Sequence, residues 1–268
     1  MLFKDLPSAL QKEDEIQKRL GCNTLSVFLD YDGTLTPIVS RPEDAVLSSE
    51  VRSVLRKLAG LCKLAIVSGR DRKDVMHLVD LDQLYYAGSH GFDISGPDGM
   101  HMENEGGKKC LPDLEEAEKA LRQKLGKIEG AQVERKRFSI AAHFRNVKEE
   151  NIAEFRQIVN GVLKEHPKLR KGTGKKILEL QPDIDWDKGK AVMWLLHALD
   201  LDKPDVLPLY IGDDITDEDA FSALSGRGIG ILVGDHGKPT SAKYGLKNVP
   251  QTREFLQKLI EILEDERS

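Results

Sequence analysis

Short apolar runs recur along the chain, and each ends abruptly in polar or turn-forming residues. The first run lies in the segment Ser26–Leu29, and two carboxylates and a glycine follow it directly. This length and these boundaries are typical of a buried β-strand. Similar runs predict four further strands, at Leu64–Val67, Leu84–Ala87, Leu207–Ile211 and Gly228–Val233.

Segments with helical spacing separate these predicted strands. Between Ser49 and Leu61 the apolar residues recur at intervals of three and four, which puts them on one face of a helix. A strand, a helix and a second strand in this order form the parallel crossover unit. The same reasoning predicts helices at Ser8–Leu20, with Ser8 as its cap, and at Asp71–Val79, Lys190–Leu199 and Thr252–Leu263.

The pattern changes after residues 96–107, a stretch rich in Gly, Asp, Asn and Pro that predicts a hairpin and then a boundary. The segment beyond it predicts two helices and two pairs of short strands, at Asp113–Lys127, Ala131–Arg135, Phe138–Arg145, Lys148–Glu165, Leu169–Arg170 and Lys176–Leu180. We therefore predict an α/β fold with a Rossmann-like parallel sheet core and helices on both faces, formed by residues 1–107 and 184–268. An α+β domain, residues 108–183, is inserted into it.

The composition narrows the class of protein. The chain has 268 residues, of which 40% are hydrophobic and 32% charged, so it can bury a sizeable core. Its net charge of −5 gives no support for nucleic-acid binding. Three widely spaced cysteines favour reduced thiols over a disulfide framework or a zinc site. Without a membrane-length apolar stretch or a signal sequence, we expect a cytoplasmic protein with no membrane partner.

Carboxylates gather at the ends of two predicted strands. The carboxyl ends of parallel strands meet at one edge of a sheet, where ligands bind. Like charges at that edge destabilise the fold unless a cation offsets them, so the two clusters together predict a cation site. For the first cluster alone, a solvated Asp-rich turn is the alternative. The clusters are Asp30 with Asp32, and Asp213 with Asp214 and Asp217.

Charged residues also alternate with apolar ones on the short strands of the predicted insertion: Glu134, Lys136, Arg137, Lys175 and Glu179. Alternation puts some of them on one face of a sheet. That face could bind sugar hydroxyls or be an ordinary solvated surface, and the pattern leaves both open. His90 lies between glycines with no nucleophile near it in sequence, which is more typical of a structural hydrogen bond than of catalysis.

Four segments resemble, in order, the motifs of the haloacid-dehalogenase-like phosphatases. They are Asp30-Tyr-Asp-Gly-Thr34, Ser68 after an apolar strand, Lys188 in Lys-Gly-Lys-Ala, and Gly212-Asp213-Asp214 with Asp217. Four matches at strand ends are specific where any one would be weak. The resemblance extends to the trehalose-6-phosphate phosphatases over nearly the whole chain, through Val67–Arg70, Tyr86–Gly91, Ile177–Glu179, Trp186–Gly189, Ile211–Phe221 and Gly230–Val233.

The resemblance implies an enzyme that hydrolyses trehalose 6-phosphate with Mg²⁺ through an aspartyl-phosphate. Asp30 would be the nucleophile and Asp32 the general acid and base. Ser68 and Lys188 would hold the phosphoryl oxygens. Asp30, Asp213 and the backbone carbonyl of Asp32 would ligate the metal, with Asp214 or Asp217 completing the set.

The same resemblance implies that the insertion is the family's mobile C2-type cap, which selects the substrate. Two positions depart from the plant-like pattern, with Gln181 in place of Arg and Arg137 in place of Lys. A trehalose-phosphate synthase is the expected protein partner. The residues implied to contact substrate are Thr34, Gly69, Arg70, His90, Glu134, Lys136, Arg137, Lys175 and Glu179.

Three alternatives share part of this prediction. A phosphatase for sucrose phosphate, or for mannosyl- or glucosyl-3-phosphoglycerate, would differ only in the cap. A phosphomutase would need a cap that retains a bisphosphate intermediate, and no residue pattern favours one. A non-catalytic sugar-phosphate-binding module would not need the intact set of Asp30, Asp32, Ser68, Lys188 and Asp213.

Overall fold

The computed structural model describes residues 1–21, 23–39, 41–174 and 176–265. The chain divides into two compact units, each with its own hydrophobic core. The core unit consists of Met1–His101 and Trp186–Ser268, and the inserted unit of Met102–Asp185. Within the described ranges, no helix has the length and apolar character needed to cross a membrane.

The strands are β1 (Thr24–Leu29), β2 (Lys63–Val67), β3 (Tyr85–Gly88), β4 (Asp93–Ser95), β5 (His101–Glu103), β6 (Gln132–Arg135), β7 (Ile140–His143), β8 (Leu169–Gly174), β9 (Ile177–Pro182), β10 (Val206–Gly212), β11 (Ile229–Val233) and β12 (Tyr244–Leu246). The helices are α1 (Glu13–Leu20), α2 (Ser49–Ala59), α3 (Arg72–Val79), α4 (Glu105–Lys109), α5 (Leu111–Leu125), α6 (Ile152–Glu165), α7 (Lys188–Ala198), α8 (Glu218–Ala223) and α9 (Val249–Asp265).

The large sheet has β1 in its interior, in the order β12-β11-β10-β1-β2-β3-β4-β5. β1 pairs in parallel with β10 on one side and with β2 on the other. The chain therefore builds the sheet outward from β1 in both directions, and β1 lies at the topological switch point. In open α/β sheets this is where ligands bind, beyond the carboxyl ends of the strands.

Helical periodicity explains how helices cover this sheet. In α2, four apolar side chains spaced by three, one and three residues are buried, namely Val51, Val54, Leu55 and Leu58. The Ser48 hydroxyl caps the helix by accepting a hydrogen bond from the Val51 N–H at 3.2 Å. Fully burying each such side chain stabilises the fold by about 1.5–3 kcal/mol.

The inserted unit is an antiparallel sheet, in the order β6-β7-β9-β8, with α5 and α6 packed on one face. Burial along β9 alternates residue by residue, so Leu178 and Leu180 point into the core and Glu179 and Gln181 point away. Glu134, Ala141 and Glu179 are register partners across three strands. They therefore share one face, which we call the polar face.

The α/β fold class predicted from the sequence is confirmed, and most strands differ from prediction by one or two residues. The first helix is shorter than predicted because a separate 3₁₀ turn, Ala9–Gln11, precedes α1 and Ser8 makes no side-chain cap. α7 begins at Lys188 rather than Lys190 because Asp187 caps it. α4, α8 and β12 were not predicted, and α9 begins before Thr252.

Candidate active site

Asp30 and Asp32 follow β1 directly at the carboxyl edge of the sheet. The Asp30 N–H donates to the Ile211 carbonyl at 2.9 Å, which ties the start of the loop to β10. The chain then turns back at Gly33, whose φ of +83° favours glycine. A Cβ at Gly33 would lie 2.0 Å from Oδ2 of Asp213, so the glycine also lets the two carboxylate loops meet.

Asp217 is fully buried and orients the second carboxylate loop. Its Oδ2 accepts the N–H groups of Asp213 and Asp214 at 3.0 and 2.9 Å. Its Oδ1 accepts the Tyr210 hydroxyl at 2.6 Å. Asp214 is exposed and its own carboxylate accepts the Ile215 N–H, so Asp217 rather than Asp214 joins Asp30 and Asp213 in the cluster.

Lys188 joins the two loops. Its Nζ lies 2.8 Å from Oδ1 of Asp30 and 2.7 Å from Oδ1 of Asp217. All three side chains are almost completely buried, with exposed fractions of 3%, 7% and 0%. Burial would lower the pKa of Lys188, but the charges and hydrogen bonds of the two carboxylates raise it above its ordinary value. The ammonium is therefore a fixed positive charge.

With all three carboxyls ionised, the cluster of Asp30, Asp213 and Asp217 would carry more negative charge than Lys188 offsets. Burial raises the pKa of Asp30 to about 7, against the opposing charge of Lys188. Burial, with the charges of Asp30 and Asp217, raises the pKa of Asp213 to about 9. Oxygens of the three carboxylates lie within 4.8 Å of one another. Hard divalent cations prefer such oxygen ligands, so this donor set fits Mg²⁺.

Arg70 holds the side chain of Asp32. Its Nε and Nη2 donate to the two oxygens of Asp32 at 2.7 and 2.8 Å, a bidentate pair, and Nη1 donates to Asp74 at 3.0 Å. The guanidinium also lies 5.4 Å from the ring centroid of Tyr31. Asp32 is thus kept apart from Lys188, which pairs with Asp30 and Asp217, although the two aspartates are only two residues apart.

Ser68 follows β2, the strand next to β1. Its Oγ accepts the Arg70 N–H at 3.1 Å, so the hydroxyl proton is available for an acceptor. His90 packs beside this turn, since a Cβ at Gly69 would lie 2.9 Å from its ring. The Thr34 hydroxyl is buried, and no described residue hydrogen-bonds to it. Both hydroxyls are suited to an anionic ligand.

On the inserted unit, the structure brings some of the predicted residues together. The Glu179 carboxylate accepts the Ser139 hydroxyl at 2.6 Å and lies 3.4 Å from Nζ of Lys136. Arg137 instead pairs with Glu103 at 2.5 Å. Glu134 shares the polar face with Glu179, whereas Lys175 lies outside the described residues.

Several contributors were missed by sequence reasoning. Tyr210 lies inside an apolar run and looked like a core residue, although its hydroxyl reaches Asp217. Asp74 is an ordinary helix residue in sequence, and Ser139 precedes a strand.

His143 pairs with Glu134 at 2.8 Å on the polar face. Strand alternation places His143 two residues from Ala141 on that face, a signal that could have identified it.

Comparisons with solved structures identify the fold. A solved trehalose-6-phosphate phosphatase related protein superposes with a TM-score of 0.78 at 25% identity, covering 91% of this chain and all of that one. A haloacid dehalogenase-like hydrolase from Bacteroides thetaiotaomicron superposes with a TM-score of 0.62 at 16% identity, covering 91% of this chain and 99% of that one. The fold is therefore that of the haloacid-dehalogenase-like class.

The sequence comparisons are more specific. The sequence model of the trehalose-phosphatase family matches residues 28–250. A probable trehalose-phosphate phosphatase 2 from Oryza sativa subsp. japonica is 45% identical over 276 residues, which cover 94% of this chain and 72% of that protein. The chain belongs to the trehalose-phosphatase family.

Proposed function

We propose that this protein hydrolyses trehalose 6-phosphate to trehalose and inorganic phosphate. The observation that carries the proposal is the buried cluster of Asp30, Lys188, Asp213 and Asp217 at the switch point of the sheet. A phosphate monoester is a dianion and hydrolyses extremely slowly unaided. A nucleophilic carboxylate beside fixed positive charge addresses that barrier. Membership of the trehalose-phosphatase family supports the choice of substrate.

In the first step, a carboxylate oxygen of Asp30 attacks phosphorus and the bond from phosphorus to the sugar oxygen breaks. Asp32 gives its proton to that departing oxygen, which leaves as a hydroxyl of trehalose. In the second step, Asp32 takes a proton from water as the water oxygen attacks the aspartyl-phosphate. Phosphate leaves and the Asp30 carboxylate is restored.

The other residues hold groups in place for these steps. Arg70 holds the Asp32 carboxylate through its bidentate pair, and one of these two hydrogen bonds must open when Asp32 carries the proton that it gives to the sugar oxygen. Lys188 and the Ser68 hydroxyl stabilise the phosphoryl oxygens, where negative charge accumulates in the transition state. The buried Thr34 hydroxyl would gain a phosphoryl oxygen as its acceptor.

We also propose Mg²⁺ as the cofactor, held by Asp30, Asp213 and the backbone carbonyl of Asp32. When bound, it offsets the repulsion between the substrate dianion and the carboxylates. Both carboxylate oxygens of Asp217 already accept hydrogen bonds, from Lys188, the Tyr210 hydroxyl and two backbone N–H groups. Asp217 therefore serves to orient the Asp213 loop.

The polar face supports a sugar-binding role for the inserted unit. Carboxylates and an ammonium side by side offer both acceptors and donors, which suits a neutral disaccharide rich in hydroxyls. Glu134, Lys136 and Glu179 are the proposed contacts, with His143 holding Glu134. A cytoplasmic location and a trehalose-phosphate synthase partner stay predictions.

Phosphate release from a panel of sugar phosphates, with and without Mg²⁺, tests the proposal. We expect trehalose 6-phosphate to be turned over faster than sucrose phosphate or glucosyl-3-phosphoglycerate, and only with Mg²⁺ present. Asp30→Asn should lower kcat by about 10⁴-fold or more, because the nucleophile is removed. Equal rates across the panel would contradict the substrate, and substantial activity of Asp30→Asn would contradict the mechanism.

A further inference from the structure

Three consecutive residues after β3 have a left-handed backbone conformation. Their φ angles are +49° at Ser89, +56° at His90 and +88° at Gly91. Glycine adopts such values readily, whereas side chains with a Cβ rarely do. Two adjacent non-glycine residues of this kind persist only when their surroundings enforce the conformation, and such strain clusters at functional sites.

Three hydrogen bonds join these residues to the turn after β2. The Ser89 N–H donates to the Arg70 carbonyl at 2.6 Å, and the His90 N–H donates to the Ser68 carbonyl at 2.9 Å. The Ser89 hydroxyl donates to Asp71 at 2.8 Å. The left-handed turn therefore binds successive positions of the Ser68–Asp71 segment from one side.

The imidazole of His90 adds a steric contact on the same segment. A Cβ built at Gly69 would lie 2.9 Å from Cε1 and 3.0 Å from Nε2 of His90, closer than side chains approach in practice. The ring thus lies against the Gly69 backbone. With both flanking carbonyls bound and Gly69 covered, little freedom remains for the turn that orients the Ser68 hydroxyl.

We infer that His90 is a positioning residue that acts through Ser68. It fixes the turn so that Ser68 Oγ accepts the Arg70 N–H and directs its proton to a phosphoryl oxygen of the substrate. The inference rests on the proposed phosphatase function, and it differs from the sequence-based expectation that His90 contacts substrate. Of the other left-handed non-glycine residues that the structure describes, Asp80 and Asp200 follow the ends of α3 and α7, where the conformation is ordinary, and Lys176 directly precedes β9.

His90→Asn is the first test, because asparagine tolerates the left-handed conformation while the ring is lost. We expect kcat/KM to fall about 10- to 100-fold, the scale of a small misplacement of a catalytic group. The loss should be equal for trehalose 6-phosphate and for p-nitrophenyl phosphate, and the inhibition constant of inorganic phosphate should rise. The matched control Asp80→Asn, also at a left-handed position, should leave all three unchanged.

A double-mutant cycle with Ser68→Ala identifies the route of the effect. If His90 acts through Ser68, His90→Asn should change kcat/KM less than threefold in the Ser68→Ala background. Full additivity would overturn the inference, and so would a loss confined to the sugar phosphate, which would make His90 a sugar contact. If the Tm of His90→Asn is lower than that of the wild-type protein, His90→Gly repeats the test, because glycine adopts the left-handed conformation without a steric penalty.

The role of His90 can be tested even if the proposed substrate is wrong. If the wild-type protein hydrolyses p-nitrophenyl phosphate but no sugar phosphate, the substrate proposal fails. The role of His90 is still decided by p-nitrophenyl phosphate turnover and by inhibition with inorganic phosphate.

Discussion

The two sheets of this protein hold their charged residues in different ways. In the core unit, Lys188 and its partners Asp30 and Asp217 are nearly inaccessible to water. On the polar face of the inserted unit, Lys136 and Glu179 keep 23% and 17% of their side chains exposed. A parallel sheet is covered on both faces, so charges at its edge become buried, whereas one face of an antiparallel sheet can stay solvated.

This difference in burial suits the two groups of charges to different functions. A buried charge interacts strongly with its neighbours because the surroundings do not screen it, and it reorganises little, which suits bond breaking. A partly solvated charge exchanges partners at low cost, which suits recognition of a hydroxyl-rich ligand. Changes in the buried set should therefore affect stability and every substrate, and changes on the polar face should affect the sugar alone.

The largest effect should come from Lys188→Met. Removing the ammonium leaves Asp30 and Asp217 buried without their counter-charge, which costs about 3–5 kcal/mol of the free energy of unfolding. Activity should be lost on all phosphate esters. The deficit should grow as pH rises through about 7, where Asp30 ionises beside Lys188, and shrink toward pH 4, since protonated carboxyls no longer need a counter-charge. Urea unfolding between pH 4 and pH 9 measures it.

Lys190→Met is the matched control for this prediction. Lys190 lies on the same helix and pairs with Asp187, but its side chain is 41% exposed. Ion pairs of this kind contribute about 0–1 kcal/mol. Equal losses of stability in the two variants would contradict the distinction between buried and solvated charges.

Much of the fold was predictable because the signal is local. Contiguous apolar runs identified β1 and β10, and their strand-end carboxylates predicted Asp30 and Asp213 correctly as neighbours. α8 was missed because its six residues follow an acidic cluster that reads as a loop, and the three-residue β12 gives too short a pattern.

The contacts that tune the site were not predictable, because they join residues far apart in sequence. Arg70 reaches Asp32 across 38 positions, and only the side-by-side packing of β1 and β2 brings them together. The pairing of His143 with Glu134 likewise depends on the register of β6 and β7. Register is set by tertiary packing, which no single segment encodes.

The second-largest effect should come from pH and Mg²⁺, which act on the stability of the protein through the buried carboxyls of the core unit. The raised pKa of Asp213, about 9, lies above the ordinary value of 3.8. The folded metal-free protein thus binds more protons than the unfolded chain between these values, so its stability should fall as pH rises from about 4 to 9. Mg²⁺ should reverse this trend, stabilising by about 2.7 kcal/mol at 100 times its Kd.

Thermal melts at pH 6 and pH 8.5, with and without Mg²⁺, check this expectation. The metal-induced rise in Tm should be larger at pH 8.5, because fewer protons must be displaced from the carboxyls. Asp213→Asn should abolish the rise, whereas the exposed Asp214→Asn should preserve it. A rise that is independent of pH, or that survives in Asp213→Asn, would place the metal elsewhere.

The smallest effect should come from the polar face. Glu179→Ala removes the acceptor of Ser139 and Lys136, and we expect kcat/KM for trehalose 6-phosphate to fall about 10- to 100-fold, the cost of losing one or two hydrogen bonds of a charged group. Turnover of p-nitrophenyl phosphate, which has no sugar, should stay unchanged.

Glu165→Ala is the control, since it removes an equal charge from the same unit at a side chain 60% exposed. Equal losses on both esters would mean that Glu179 supports the fold of the inserted unit. A loss on the sugar phosphate alone would assign recognition to the partly exposed charges of the polar face and leave the chemistry to the buried ones.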